Sequence, residues 1–250
     1  MRLSTRIHCS ILVICILLNL RLVAQHVVKD SLPAASGYGN ALREYHAYME
    51  PEPALYRGSQ YVEYGFLLKE GHPYFGEDRM RIGTVWYDGI LYENLHLLYD
   101  EVKDQVIIPD PERVFKIFLI NDEVDGFTIE HHRFLQLRDS LNPSQPRNGF
   151  YEQLYTGRIS LLKKEIKLIT EDLSNSQEGI RRYITTNISY YVRRGETYYP
   201  VNNKRSLFYA LKDRAKDGRK FIRKNHLKIR GDGKEESLKQ VVAWYDGSNN

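Results

Sequence analysis

The sequence predicts a predominantly β member of the α+β class: a curved antiparallel meander, half-barrel or barrel-like, of about nine to eleven strands, with a short helical C-terminus. Three observations carry that expectation. Alternating apolar runs flank Asp88-Gly89, a dipeptide that favours the two-residue type I′ hairpin turn because both positions tolerate φ > 0. Two further strand-like pairs meet at Thr156-Gly157 and Arg194-Gly195, and the residues between are rich in Ile, Val, Thr and Tyr. After Asn203 the period changes from two to that of short amphipathic helices.

Taken from the start, Arg2 and Arg6, the apolar run Ile7 to Leu20 and the exit Leu22-Val23-Ala24 have the order of a secretory signal peptide cut after Ala24. The apolar run is about 14 residues, short of the roughly 20 that span a bilayer, so no transmembrane span is expected in the mature chain. Cleavage would remove both cysteines, Cys9 and Cys15, and with them any disulfide or thiolate metal site. Residues 25–55 hold Pro33, Pro51, Pro53 and the cluster Ser36 to Asn40, and are expected to be an irregular leader with a helical turn or two over Ala41 to Met49.

The β domain is expected over 56–203. Tyr61, Tyr64 and Phe66 give its start a β-like, aromatic character, and Gly71 to Gly76 is turn-rich. In the central hairpin a two-residue loop sets Tyr87 opposite Ile90, Trp86 opposite Leu91, Val85 opposite Tyr92 and Ile82 opposite Leu95. That register places Ile82, Trp86, Leu91, Leu95, Leu97 and Tyr99 on one face, and Trp86, Leu91, Leu95 and Tyr99 become the candidate residues for an apolar ligand. Both faces of the hairpin are apolar, so cover on both sides is expected.

Asp100 to Asp104 has the composition of a solvated turn, and Pro109 and Pro111 stop the next strand. Val114 to Ile120, apolar on both alternating sets, predicts a central strand. Asn121 to Gly126 resembles half a calcium loop, but position 132, where a bidentate glutamate is needed, is His132, so a polar turn is expected. Phe127, Ile129, Leu135 and Leu137 share one parity. A sub-boundary is expected at 138–148, where Asn142-Pro143 and Pro146 fall. Gly149 to Tyr155, Ile159 to Ile169, Ile180 to Arg193 and Glu196 to Val201 continue the meander, although Leu161, Leu162, Ile166 and Ile169 also fit a helical stripe. The helical segment, 204–250, divides into Ser206–Lys216, Arg219–Leu227 and Lys234–Tyr245 at Gly218 and Gly231-Asp232-Gly233. Leu207, Leu211, Phe221, Ile222, Leu238, Val241, Val242 and Tyr245 form its buried side.

The sequence has no G-x-S-x-G, H-E-x-x-H or phosphate-loop motif, so it offers no catalytic residue, and no cofactor is implied. His131-His132, preceded by Glu130, is the best metal candidate; neighbouring strand residues point to opposite faces, so the two imidazoles cannot share an ion without a bulge and no metal site is expected there. Charge is divided along the chain: residues 25–149 carry a net −8 and residues 150–230 a net +11. Lys212, Arg219, Lys220, Arg223 and Lys224 lie in the basic part, interleaved with Phe208, Tyr209 and Phe221, and are candidates for contact with an anionic surface or partner. Export argues for lipid headgroups, lipopolysaccharide phosphates or an acidic protein, and against nucleic acid.

The runs G-T-V-W-Y-D-G-I-L-Y-E-N at 83–94, L-L-Y-D-E-V-K-D at 97–104, G-F-Y-E-Q-L-Y-T-G at 149–157, and K-F-I-R-K-N-H-L-K followed by V-V-A-W-Y-D resemble a family of exported proteins of unknown function from Bacteroidota-type bacteria. The resemblance runs from about Tyr56 to Tyr245 and implies a periplasmic, outer-membrane-facing or secreted address, without site residues. At the level of fold the chain is also similar to periplasmic lipid and lipoprotein carriers. Three function classes follow: a non-enzymatic envelope protein holding a lipid-like ligand in its sheet, an adaptor docking through the basic helices, and a hydrolase.

Overall fold

The computed structural model describes residues 54–138, 146–173 and 179–247; the signal segment, nearly all of the leader and the centre of the 138–148 sub-boundary lie outside them. Ten strands form one antiparallel sheet: β1 Arg81–Tyr87, β2 Ile90–Asp100, β3 Gln105–Pro109, β4 Lys116–Phe118, β5 Val124–Ile129, β6 His132–Leu137, β7 Gly149–Thr156, β8 Ile159–Asp172, β9 Arg181–Arg194 and β10 Thr197–Pro200. Their order is β10-β9-β8-β7-β6-β5-β1-β2-β3-β4, so β4 and β10 are the edges and the sheet does not close. It does curl: the turn after β2 reaches across to β8, where the Lys167 N–H donates to Glu101 O at 3.2 Å. The run from Ile159 is thus a strand, paired with β9 over its whole length.

The Asp88-Gly89 turn has both residues at positive φ, 51° and 74°, the requirement of a type I′ turn. Nothing lies within 4 Å of where a Gly89 Cβ would stand, so substitution there probes backbone conformation alone. Gly89→Val is expected to lower stability by about 1 kcal/mol or more, because a β-branched residue resists φ > 0. An unchanged urea midpoint would count against that reading of the turn.

The register holds as far as Val85↔Tyr92 and then slips. Gly83 faces Leu95 and Ile82 faces His96, with Asn94 at φ 57° as the extra residue of a bulge. A one-residue slip turns every later side chain over. Leu95, Leu97 and Tyr99 therefore join Val85, Tyr87 and Tyr92 in the core, while Ile82, Trp86 and Leu91 stay on the opposite face, correcting the single face expected for all six. Gly83 permits the close strand approach: a Cβ there would fall 1.9 Å from Thr128 O.

Phe127, Phe134, Phe150 and Tyr99 fill the concave side, with Phe127 and Phe134 stacked at 4.6 Å and Tyr99 5.2 Å from Phe127. Phe134 is inside because Glu130 and His131 make a two-residue turn, so that Phe127 pairs with Phe134; the parity expected through Leu135 and Leu137 is reversed by that turn. Val114 to Ile120 is not a central strand. Only Lys116–Phe118 pairs with β3, at the sheet edge, and Val114 is 75% exposed. The aromatic stretch from Tyr56 forms no strand of its own; it covers that edge, with Tyr61 N–H donating to Lys116 O at 2.8 Å and Phe118 N–H to Ser59 O at 3.1 Å.

Three α-helices follow: α1 Lys204–Ala210, α2 Ala215–Lys224 and α3 Lys234–Gly247. The first starts two residues before Ser206 because Asn203 caps it, its side chain accepting from the N–H groups of Arg205 and Ser206. Gly218 lies inside α2 instead of breaking it. A Cβ at that position would stand 3.2 Å from the Phe208 ring and 3.4 Å from Trp244, so the glycine serves close packing. The helices cover Ile159, Leu161, Tyr190 and Val192 of β8 and β9 with Leu207, Leu211, Ile222, Leu238, Val241, Val242 and Tyr245; Phe221 is half-buried and stacked on Trp244.

Candidate functional site

The four candidate apolar-ligand residues do not share a surface. Trp86 is half-buried on the outer face under the Arg133 guanidinium, 5.5 Å from its ring, with Leu91 opposite. Leu95 is half-buried at the margin of the core, where it lines a depression with Asn94 and His96, while Tyr99 is inside the core and its hydroxyl donates to Asp104 at 2.5 Å. The concave face is occupied by the protein's own aromatic rings. The gap left between Tyr99, Phe134 and Phe150 and the charged groups beside them has no room for a water-sized body.

Those charged groups form a buried network. Asp100 is fully buried and Glu101 is 3% exposed, correcting the solvated turn expected at Asp100 to Asp104. Asp100 accepts from the Tyr61 and Tyr64 hydroxyls at 2.8 and 2.9 Å and from the N–H groups of Val102 and Lys103, so its charge is fully hydrogen-bonded. Lys167 stands 3.1 Å from Glu101, and Lys164 is 2.7 Å from Asp104. Lys163 lies between three carboxylates, 3.4 Å from Glu152, 3.2 Å from Glu165 and 3.3 Å from Glu235 of α3. Burial pulls the Lys163 ammonium down, but the three carboxylates more than reverse this, so it sits above its ordinary value. Burial and the neighbouring Glu165 charge push the Glu101 carboxyl up to about 7. Glu101 thus has the acidity of a general acid but, closed off from solvent, has no path to a substrate. The network's visible work is to tie the β2–β3 turn and α3 to β8.

His132 belongs to the edge of this network, its Nδ1 2.5 Å from Glu152. The hairpin tip brings the His131 ring within 4.1 Å of it, contrary to the opposite faces of a regular strand, yet among the described residues no three ligating side chains gather.

The basic helices build a different kind of place. A groove of about 660 Å³ opens between α1 and α2, with Phe208, Ile222 and Leu227 forming its apolar part and Lys204, Arg205, Arg219, Arg223 and His226 its polar part. No acidic residue lines it, and among the described residues none of those cationic side chains forms an ion pair. Arg219 packs over the Phe208 ring at 5.1 Å, which holds its guanidinium at the groove. Of the five basic candidates, Arg219 and Arg223 line the groove. Lys220 turns to Asp217 at 3.6 Å, Lys212 lies against Tyr209, and Lys224 is exposed outside the lining. Lys204, Arg205 and His226 were not among the candidates. His226 was accessible to pattern reasoning, since Arg219, Ile222, Arg223 and His226 follow i, i+3, i+4, i+7 spacing; Lys204 and Arg205 come from another helix.

Among the described residues no helix is long and apolar enough to cross a membrane. No family model, curated protein or solved structure matches the chain.

Proposed function

We propose that this chain is an exported, non-enzymatic binding protein that docks on an anionic lipid surface through the groove between α1 and α2. The observation that carries the proposal is the groove's composition: five basic or titratable side chains without a carboxylate among them, set beside exposed entry to an apolar floor. Cationic side chains at an anionic surface contribute about 1 kcal/mol each, and an apolar floor accepts the acyl boundary beneath the headgroups. The acidic N-terminal half favours orientation, since it would be repelled by the surface that attracts the helices. A lipid-like ligand within the curved sheet receives less support, because its concave side is filled by Tyr99, Phe127, Phe134 and Phe150.

The test is co-sedimentation with vesicles of phosphatidylglycerol and phosphatidylcholine. Binding should weaken steeply as the Debye length falls from about 10 Å at 0.1 M salt to about 3 Å at 1 M. Changing Arg205, Arg219 and Arg223 to Gln should lower affinity about 100-fold, three contributions of about 1 kcal/mol. Equal binding to pure phosphatidylcholine, or undiminished binding by the triple variant, would exclude this surface; capture of an acidic envelope protein instead would move the function to a protein partner.

A further inference from the structure

We propose that the cleft beside β4 is a second binding site, for a small organic carboxylate with an apolar body, gripped by Arg113. The inference is independent of the groove on the helices and rests on the loop between β3 and β4.

That loop is built to be rigid. The Asp110 carboxylate, 5% exposed, accepts from the N–H groups of Glu112 at 3.1 Å and Phe115 at 2.6 Å. The main chain closes on itself as well: Asp110 N–H donates to Phe115 O at 3.0 Å and Arg113 N–H to Asp110 O at 2.9 Å. At the apex Arg113 has φ 59°, a conformation that glycine occupies without steric cost and a long side chain does not.

Among the described residues six non-glycine residues have positive φ. Asp88, Asp104, Glu130 and Arg113 sit in turns between paired strands, Asn94 is the extra residue of the β2 bulge, and His226 lies just past the end of α2. Two of the six, Asn94 and Arg113, line one depression of about 210 Å³ together with His96, and Arg113 is the one arginine among them. Arg113, His96 and Pro109 also border the adjoining cleft of about 480 Å³, whose other walls include Tyr61, Met80 and Phe115. The Asn94 bulge that reverses the faces of β2 is therefore also beside His96 at this cleft.

Charge selects the ligand. Two carboxylates line the site and both are taken up, Glu63 by Lys116, the other cation of the cleft, at 2.5 Å and Asp110 by the N–H groups of Glu112 and Phe115, while among the described residues Arg113 has no carboxylate partner. One uncommitted guanidinium suits a monoanion, and its planar fork matches a carboxylate in bidentate fashion, with His96 as a second polar contact. Tyr61, Met80 and Phe115 offer the apolar body its contact area.

The experiment titrates isotope-labelled protein with 4-phenylbutyrate and octanoate, using 4-phenylbutanol and the methyl esters as controls, and follows the amide signals of Arg113 to Lys116 and the Arg113 side-chain signal. The two acids should shift those signals saturably and the controls should bind about tenfold more weakly, the loss expected for removing a charge-assisted contact. Arg113→Gly should abolish the difference between acids and controls while leaving the melting temperature unchanged or higher, because glycine relieves the positive φ. Changing Arg219 and Arg223 to Gln should leave the titration untouched, which separates failure here from failure of the helical groove. Equal binding of acids and alcohol, no shift up to about 10 mM probe, or an Arg113→Gly protein that titrates like the wild type would each overturn the proposal.

Discussion

Replacing Lys163 by methionine should lower the unfolding free energy by about 2–3 kcal/mol at pH 7, less than a fully buried pair would lose because Glu165 and Glu235 remain partly exposed. Methionine keeps most of the stem volume, so the loss reports charge more than packing. Without the ammonium, Glu152, Glu165 and Glu235 face one another within a few ångströms of the vacated position, and Glu152 is itself 7% exposed. Protonating the carboxylates removes that repulsion. The difference between variant and wild type, measured by urea unfolding, should therefore shrink by more than half between pH 7 and pH 4. A loss below about 1 kcal/mol, or one that does not change with pH, would show that solvent reaches and screens the cluster.

Glu101 gives the second large effect, and its sign is opposite to that of an ordinary salt-bridged carboxylate. Its acidity moves from 4.5 to about 7 on folding. Below 4.5 the group is protonated in both states and its ionisation costs nothing. Between 4.5 and 7 the unfolded chain loses the proton while the folded protein keeps it, so stability falls as pH rises. Above 7 the full cost applies, about 3 kcal/mol from the relation between acidity and free energy. Glu101→Gln should abolish this slope; the attraction to Lys167 is already contained in the value near 7, and in the folded protein below that pH Glu101 is neutral, so its loss adds no charge effect there. Glu235 is shifted downward by Lys163 and Lys239 despite its burial, so it acts below 4.5 and does not enter this window. Unfolding midpoints of the two proteins from pH 4.5 to 7.5 provide the check; parallel curves would contradict a protonated Glu101.

What was legible in the sequence is what is decided locally. Asp88-Gly89, Thr156-Gly157 and Arg194-Gly195 each occur between paired strands because turn chemistry acts over two to four residues. The helical terminus followed from periodicity, and the basic residues from composition. The rest depended on partners far along the chain. Nothing near Asn94 announces a bulge, yet that single extra residue moved Tyr99 from a proposed ligand face into the core. Asp100 to Asp104 has a solvated composition, and its burial is made tolerable by groups distant in sequence, the Tyr61 and Tyr64 hydroxyls on Asp100 and the lysines of β8 on Glu101 and Asp104. Val114 to Ile120 has a strand's composition, but Asp110 captures its first residues in a loop. Arg219 and Arg223 could be named from the basic composition of their segment; the groove needed Lys204 and Arg205 from another helix.

The contact between the β2–β3 turn and β8 also bears on the order in which the molecule can assemble. The hairpins β1–β2, β2–β3, β3–β4 and β5–β6 need only near neighbours and are joined where β1 pairs with β5, Gly83 opposite Ile129, but the curl is latched by Lys164 and Lys167 acting on Asp104 and Glu101 across more than half a hundred residues. Such distant closure comes late, since the intervening chain must be ordered before the contact repays it. A polypeptide emerging N-terminus first would hold its acidic sheet open, with Glu101 hydrated and fully ionised, until the basic strand arrived to shut it.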